Sequence, residues 1–106
     1  MTQAPVTIII EYRAIPERME QAVAELNTLV ATVVATEADC FGIEFLREAD
    51  DPARILLVER WSSQNAYFGA HFQTPHIQAF IAKAAEWFEG PPSIHVWATH
   101  ANHVRG

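Results

Sequence analysis

The sequence is poor in cysteine, in basic residues and in long apolar runs. Cys40 is alone, so no intrachain disulfide can form and no thiolate pair exists for a structural zinc, which favours a reducing compartment. The 7 Lys and Arg against 13 Asp and Glu give a net charge of −6, which would repel phosphate backbones and anionic lipid surfaces. The apolar runs are too short to span a bilayer, and the N-terminus has no signal-peptide pattern. We therefore expect a cytoplasmic protein that binds neither nucleic acid nor membranes.

Hydrophobic residues, by contrast, make up 50% of the 106 residues, which is enough for the core of one domain. No repeat, linker or low-complexity stretch divides the chain. We expect residues 1–106 to form a single domain whose core runs from about residue 6 to about residue 99.

Four segments have the composition of β-strands. Residues 6–13 (VTIIIEYR) are rich in β-branched side chains, and residues 41–48 (FGIEFLRE) alternate between two faces. Residues 55–61 (ILLVERW) follow the turn-forming sequence ADDPAR, which predicts a hairpin with the preceding strand. Residues 93–99 (SIHVWAT) follow a Gly-Pro-Pro sequence and form the last predicted strand.

Helices are predicted between these strands. Ser62 or Ser63 can cap a short helix, and Thr74 followed by Pro75 can cap another. The predicted order, β-α-β-β-α-α-β, is an α+β ferredoxin-like plan with one antiparallel sheet and helices on one face. The first helix is predicted from Pro16 onward because apolar residues recur there at helical spacing, at Met19, Val23, Leu26, Val30 and Val33.

The predicted sheet is apolar on both faces. In the first strand Ile8 lies on the face opposite Ile9, and in the third Leu56 lies opposite Leu57. Helices on one face would leave the second face exposed, and soluble monomers rarely expose an apolar patch larger than a few hundred Å². We therefore expect a homodimer in which the two sheets face each other.

The stretch from Glu59 to His76 (ERWSSQNAYFGAHFQTPH) carries a motif. It has the frame E-x-W-x-S, an alanine five residues after the tryptophan, and then H-x-x-T-P-H. This frame resembles that of the antibiotic-biosynthesis monooxygenase domain family, and the resemblance extends over roughly residues 6–96. It implies a dimeric α+β barrel. Members include cofactor-free and quinol monooxygenases, haem-degrading enzymes, a signal-processing isomerase and proteins without known activity, so the motif alone does not select a reaction.

The haem-degrading branch of this family is disfavoured. By ungapped placement, its asparagine in the first strand, its second tryptophan and its axial histidine fall on Ile10, Ala70 and Phe80. A haem site needs a positioned axial ligand, so we expect no haem and no other cofactor. We also expect no metal, because no zinc-site spacing is present among the C-terminal histidines His95, His100 and His103.

The cofactor-free branch resembles this sequence more closely. In those enzymes a tryptophan and a tyrosine six residues later line the substrate pocket, and Trp61 and Tyr67 have this spacing. An asparagine and an arginine that are also implicated there are replaced by Leu57 and Ile81, so their hydrogen bonds to substrate cannot be made here. His71 follows Tyr67 by four residues, so the two side chains would project from one helix face.

These residue types suit proton abstraction from an aromatic substrate. Histidine is a natural base because its unperturbed pKa lies near ~6.5, and indole and phenol rings can stack on a substrate ring. We predict His71, Tyr67 and Trp61 as catalytic residues. The predicted substrate-binding residues are Trp61, Tyr67, Phe68, Phe72, His76 and Glu59.

Several of these side chains also have a structural interpretation. Trp61 is equally typical of a core aromatic, and His71 and His76 of histidines bonded to a backbone carbonyl or a carboxylate. A buried Glu59 would need a partner, and we expect one of the two histidines or Arg13.

The sequence therefore predicts a homodimeric, cofactor-independent monooxygenase-like enzyme that oxidises a phenolic, quinol or related aromatic small molecule with O₂. Two alternatives remain open. One is an isomerase of a small carbonyl compound that uses the same pocket. The other is a non-catalytic ligand-binding or stress-associated dimer.

Overall fold

The fold is built from one antiparallel sheet and a layer of helices, and the computed structural model describes residues 4–106. The strands are β1 (Val6–Arg13), β2 (Cys40–Glu48), β3 (Asp51–Trp61) and β4 (Ser93–Trp97). The helices are α1 (Met19–Thr36), α2 (Gln64–Phe68) and α3 (Pro75–Lys83), with 3₁₀ turns at Pro16–Arg18, Ala70–Gln73 and Ala84–Glu86. The sheet order is β2-β3-β1-β4. The predicted α+β class and ferredoxin-like element order are confirmed.

Two predicted strand boundaries are wrong by more than one residue, and β2 begins one residue early, at Cys40. β3 begins at Asp51, four residues earlier than predicted, and Glu48 pairs with Asp51 so that only two residues form the turn. The first residues of β3 gain a hydrogen bond outside the regular pairing. The Ala14 N–H, just beyond the end of β1, donates to the Ala53 carbonyl. β4 ends at Trp97 rather than at residue 99, since its pairing with β1 reaches only Thr7, near the start of that strand.

The hydrophobic core lies between the helices and one face of the sheet. The sheet contributes Ile8, Ile10, Ile55 and Leu57, all nearly inaccessible to solvent. From α1 the buried residues are Ala22, Leu26, Val30 and Val33, at the helical spacing expected for one face. This arrangement places the side chains of alternate β3 residues, including Glu59 and Trp61, directly beneath the helical layer.

The opposite face of the sheet carries no helix and has an apolar centre. Ile9, Leu56 and Val58 point to this face, and they are partly accessible. Leu46 and Trp97 lie on the same face and are 40% and 55% exposed. The predicted second apolar face is therefore present, while its burial in a homodimer stays a prediction.

Candidate active site

Residues 62–77 carry most of the predicted site over the end of β3. Ser63 Oγ accepts the Ala66 N–H at 3.0 Å and caps α2. Thr74 is the N-cap of α3, and its hydroxyl donates to the His71 carbonyl at 2.8 Å. The two predicted caps thus fix both ends of the segment that presents Tyr67 and His71.

A cavity of about 480 Å³ lies between the helices and the helix-covered face of the sheet. This size falls within the range of roughly 300–1,000 Å³ that is typical of small-molecule sites. Apolar side chains from the sheet, α1 and α3 form most of its wall, including Ile10, Leu57, Val30, Val33, Ile77 and Phe80. The polar side chains in the wall are Tyr12, Glu59, Tyr67 and His71.

Glu37 binds two of the motif histidines at once. His71 Nδ1 lies 2.9 Å from Glu37 Oε1 and 3.1 Å from Oε2. His76 Nε2 lies 2.6 Å from Glu37 Oε2. The side chains of Glu37 and His71 are only 12% and 5% exposed, so this contact is shielded from water. A shielded charge-assisted contact of this kind is worth considerably more than a surface ion pair.

Glu59 is 4% exposed and is held by its own strand neighbour. The Trp61 indole N–H donates to Glu59 Oε1 at 2.8 Å. The prediction that a histidine or Arg13 would be its partner is wrong, because Glu37 binds the histidines and Arg13 pairs with Asp51. Both Glu59 and Trp61 lie on the helix side of β3, so the indole is within hydrogen-bonding distance of Glu59.

Aromatic rings fix the orientation of the His71 imidazole. Its centroid lies 4.6 Å from the Trp61 ring and 5.1 Å from the Tyr67 ring, which it meets in a stacked geometry. Trp61 and Tyr67 also meet edge to face, with centroids 5.5 Å apart. Such packing locks side-chain rotamers and adds to the stability of the site.

Burial changes the pKa values of the groups in the cavity wall. It raises the pKa of Glu59 to about 7, an effect that the indole hydrogen bond opposes and the charge of Glu37 supports. Burial lowers the pKa of His71, while the hydrogen bond and charge of Glu37 raise it. The pKa of Tyr67 is raised, mainly by burial. At neutral pH the cavity therefore contains a neutral phenol, a largely neutral imidazole and a carboxyl group near its midpoint.

Polar atoms in the wall remain available to a ligand. Within residues 4–106, Trp87 Nε1 is the only fully buried side-chain nitrogen or oxygen without a hydrogen bond. His71 Nε2, the Tyr67 hydroxyl and Glu59 Oε2 also lack a described partner, so each must retain accessible surface. Since all three residues line the cavity, this surface offers one base and two further hydrogen-bonding groups.

The predicted site residues divide between the cavity wall and its surroundings. Trp61 lies behind the wall at 1% exposure, where it contacts Glu59, Tyr67 and His71 instead of the cavity. Phe68 is 46% exposed, because it follows Tyr67 on the outer side of α2. His76 turns toward Glu37. The predicted residues that line the cavity are Glu59, Tyr67, His71 and Phe72.

Glu37 is the residue of this site that the sequence analysis missed. It lies just after α1, 34 residues before His71 and 39 before His76. A local motif search cannot find such a partner. The available signal was an acidic residue at the C-terminal end of a helix, where the helix dipole disfavours negative charge and a nearby cation is expected.

The described residues also lack two kinds of feature. No helix within residues 4–106 is both long and apolar enough to cross a bilayer. Over the same residues, no group of three or more histidine, cysteine or acidic side chains is arranged to hold a metal ion.

The fold and the cavity define an α+β protein with a small-molecule site under its helices. The family model for antibiotic biosynthesis monooxygenase matches residues 5–83. The chain therefore belongs to the antibiotic biosynthesis monooxygenase family, and its general function is monooxygenase-like. No curated protein matches the chain significantly.

Solved structures share the whole fold at low sequence identity. Rv0793 from Mycobacterium tuberculosis is 24% identical, with a TM-score of 0.82 over 95% of this chain and 100% of that chain. PA3566 from Pseudomonas aeruginosa is also 24% identical, with a TM-score of 0.82 over 95% of this chain and 99% of that chain. A Caulobacter crescentus CB15 protein named for the same family is 19% identical, with a TM-score of 0.83 over 93% of this chain and 92% of that chain. These likenesses establish the fold.

Proposed function

We propose that the protein is a cofactor-independent monooxygenase that oxidises a phenolic, quinol or related aromatic small molecule with O₂. The proposal rests on the hydrogen bonding of the His71 imidazole and on its position in the cavity wall. Its Nδ1 is engaged by Glu37, its Nε2 has no protein partner among residues 4–106, and the residue lines a mainly apolar cavity. A neutral imidazole held in this way is a general base beside a site for an aromatic ring.

The reaction begins with transfer of the substrate's O–H proton to His71 Nε2. The resulting electron-rich anion passes one electron to O₂, and the two radicals combine to form a carbon–peroxide bond. Loss of water from this peroxide leaves a quinone with one new oxygen atom, so that a phenol and O₂ give a quinone and H₂O. The substrate supplies all four electrons that reduce O₂ to the quinone oxygen and to water, and His71 returns the abstracted proton to the peroxide. The Tyr67 hydroxyl, which remains protonated because burial raises its pKa, is placed to donate to the developing anion.

The cavity wall favours an uncharged substrate. No lysine or arginine from residues 4–106 lines it, and a carboxylate or phosphate would have to lose its hydration without a cationic partner. Leu57 and Ile81, which replace two polar residues of the cofactor-free branch, contribute apolar surface to the wall. The polar contacts of a ligand would therefore come from Glu59, Tyr67, His71 and the fourth polar side chain of the wall, Tyr12.

Oxidation of two probe compounds, anthrone and 1,4-naphthohydroquinone, tests this function. We expect wild-type protein to consume O₂ and to form products that contain one ¹⁸O atom when ¹⁸O₂ is supplied. His71→Ala and His71→Asn should each lower the rate by roughly 100-fold or more, because a general base contributes about 10²- to 10⁴-fold. Tyr67→Phe should lower it by a smaller factor, since one hydrogen-bond donor is lost.

The controls separate catalysis from folding. His71→Asn retains an N–H donor for Glu37, and His100→Ala removes a histidine from the exposed C-terminal segment. His100→Ala should match the wild-type rate, and His71→Asn should unfold at close to the wild-type temperature. Oxygen uptake without ¹⁸O in the product, or equal rates in both His71 variants and wild type, would contradict the proposal.

Glu59 favours one second candidate, an isomerase of a small carbonyl compound. A carboxyl group with a pKa of about 7 and a neutral imidazole in one apolar cavity form an acid–base pair that could move a proton between carbon and oxygen. Conversion of a carbonyl substrate without O₂ uptake would favour this candidate. Ligand-dependent stabilisation without any turnover would instead favour a binding protein.

We also propose that the protein acts as a single-domain homodimer in the cytoplasm. The net charge of −6, the lone Cys40 and the apolar open face of the sheet support this setting.

A further inference from the structure

Glu37 contacts the cavity wall without lining the cavity itself. It follows α1 directly, its side chain is 12% exposed, and it does not line the cavity. Both of its oxygens face histidine nitrogens, one in His71 and one in His76. Of these two histidines, His71 lines the cavity and His76 does not. The hydrogen bonds of Glu37 therefore reach a bound molecule through His71.

The hydrogen bonds of Glu37 determine where the protons lie. An ionised carboxylate can only accept hydrogen bonds, so each nitrogen that meets it must carry a hydrogen. His71 therefore has its hydrogen on Nδ1, and His76 has one on Nε2. In neutral His71 this leaves the lone pair on Nε2, the nitrogen that has no described partner. The opposite tautomer would place two acceptors against each other.

We propose that Glu37 is a positioning residue that holds His71 in the Nδ1–H tautomer with Nε2 as the base, and that His76 anchors the Glu37 carboxylate as a second donor. The inference rests on the proposed function in that it treats His71 as the base. It adds a residue and a proton arrangement that the proposed function does not require.

The groups around His71 support this assignment. The titratable side chains that face it are Glu37, His76 and Tyr67, while Glu59 lines the same cavity and is bound by the Trp61 indole. The Tyr67 contact is a ring stack, so it leaves both imidazole nitrogens free. Glu37 is therefore the one carboxylate in direct contact with the ring among the described residues.

The experiment compares Glu37→Gln with the matched variant Glu25→Gln. Glu25 lies on the exposed side of α1, so its substitution removes the same charge without touching a histidine. Long-range ¹H–¹⁵N NMR spectra report the tautomer and the pKa of His71 without any ligand. In wild type and Glu25→Gln, we expect neutral His71 to carry its hydrogen on Nδ1. In Glu37→Gln, we expect a population with hydrogen on Nε2 and a lower pKa, since the charge that raises that pKa is gone.

His76 provides a conservative rescue. His76→Gln places an amide N–H near the position of Nε2 and should leave the spectrum of His71 close to wild type. His76→Leu removes the donor and should shift the tautomer of His71 in the direction seen for Glu37→Gln. This pair also tests the network if Glu37→Gln does not fold.

Turnover of anthrone gives a second, independent readout. Loss of a carboxylate that orients a histidine should lower the rate by roughly 10- to 100-fold and move the acidic limb of the pH profile to lower pH. If wild type does not consume O₂ with anthrone, the proposed function fails while the NMR spectra still decide the inference. Neutral wild-type His71 with hydrogen on Nε2, or an unchanged His71 tautomer in both Glu37→Gln and His76→Leu, would overturn it.

Discussion

Glu59 is a carboxyl group enclosed by the core, and its environment gives the protein a pH dependence. Its pKa in the folded state is about 7, whereas an unfolded chain returns it to about 4.5. Below pH 4.5 the group is protonated in both states and costs nothing. Between pH 4.5 and 7 the unfolded state loses the proton first, so the free energy of unfolding falls as pH rises. Well above pH 7 Glu59 is ionised in both states, so its ionisation no longer changes the free energy of unfolding.

The Glu59→Gln variant should remove this dependence. Glutamine keeps an oxygen for the Trp61 N–H but carries no charge, so burial no longer depends on pH. We expect similar stability to wild type at pH 5 and higher stability at pH 8, by at most roughly 3 kcal/mol. Urea unfolding at both pH values measures the difference. A wild-type protein that gains stability between pH 5 and 8 relative to the variant would contradict the assigned pKa.

The residues of the site were only partly predictable from the sequence. Tyr67 and His71 were predicted to project from one helix face. Their rings do stack at 5.1 Å, but Tyr67 lies in α2 and His71 in the 3₁₀ turn that follows it. The motif could not distinguish residues that line the cavity from residues that pack behind them. Trp61 and His76 belong to the motif, yet neither lines the cavity. Glu37 was not predictable, because its contacts with the histidines depend on how α1 ends beside a segment more than 30 residues later.

Gly69 connects α2 to the 3₁₀ turn Ala70–Gln73, which carries His71. Glycine at this exposed position would ordinarily be replaced by alanine with a small gain in stability. Here a Cβ on residue 69 would lie 2.7 Å from the Asn65 carbonyl oxygen, closer than such atoms approach. Because this oxygen belongs to the backbone, the end of α2 would have to move to make room for the Cβ. Tyr67 and His71 lie on either side of residue 69, so both would be displaced.

The Gly69→Ala variant should therefore be destabilised, by about 1–3 kcal/mol. Gly42→Ala in β2 is the matched control, since nothing lies within 4 Å of the added Cβ, and it should be neutral or slightly stabilising. Thermal unfolding followed by circular dichroism compares the two. A Gly69→Ala protein as stable as Gly42→Ala would show that the turn relaxes without cost.

The elements themselves were largely predictable because each has a local signal. β1 matches its predicted range, and the caps at Ser63 and Thr74 start the helices where hydroxyl side chains can accept free amides. The C-terminal end of α3 has no such local signal. The helix ends at Lys83, and Phe88 reaches the core through a bridge with Ala14 instead of a helical turn. That contact is between distant segments, and helical periodicity contains no information about it.

At the scale of the molecule, the open face of the sheet has a pattern suited to pairing with a second copy. Its apolar centre is bordered at one end by Arg54, whose guanidinium binds Glu11 and Glu48 on the same face. The guanidinium offsets part of the negative charge of these two carboxylates, which would otherwise oppose the approach of an identical surface. Burial of the centre would contribute about 25 cal/mol per Å², so a sheet-to-sheet dimer is the expected form in solution.

The Val58→Asp variant tests this expectation, because Val58 lies at the middle of the face between Ile9 and Glu44. We expect wild type to sediment as a dimer and the variant as a monomer, since two carboxylates would be buried without partners. Trp97→Glu, at the more exposed edge, should weaken the dimer if Val58→Asp does not fold. Val34→Asp is the control, because Val34 is 45% exposed on the helical side and should leave the dimer intact. A wild-type monomer at micromolar concentration, or dissociation by Val34→Asp alone, would rule out pairing through the sheet.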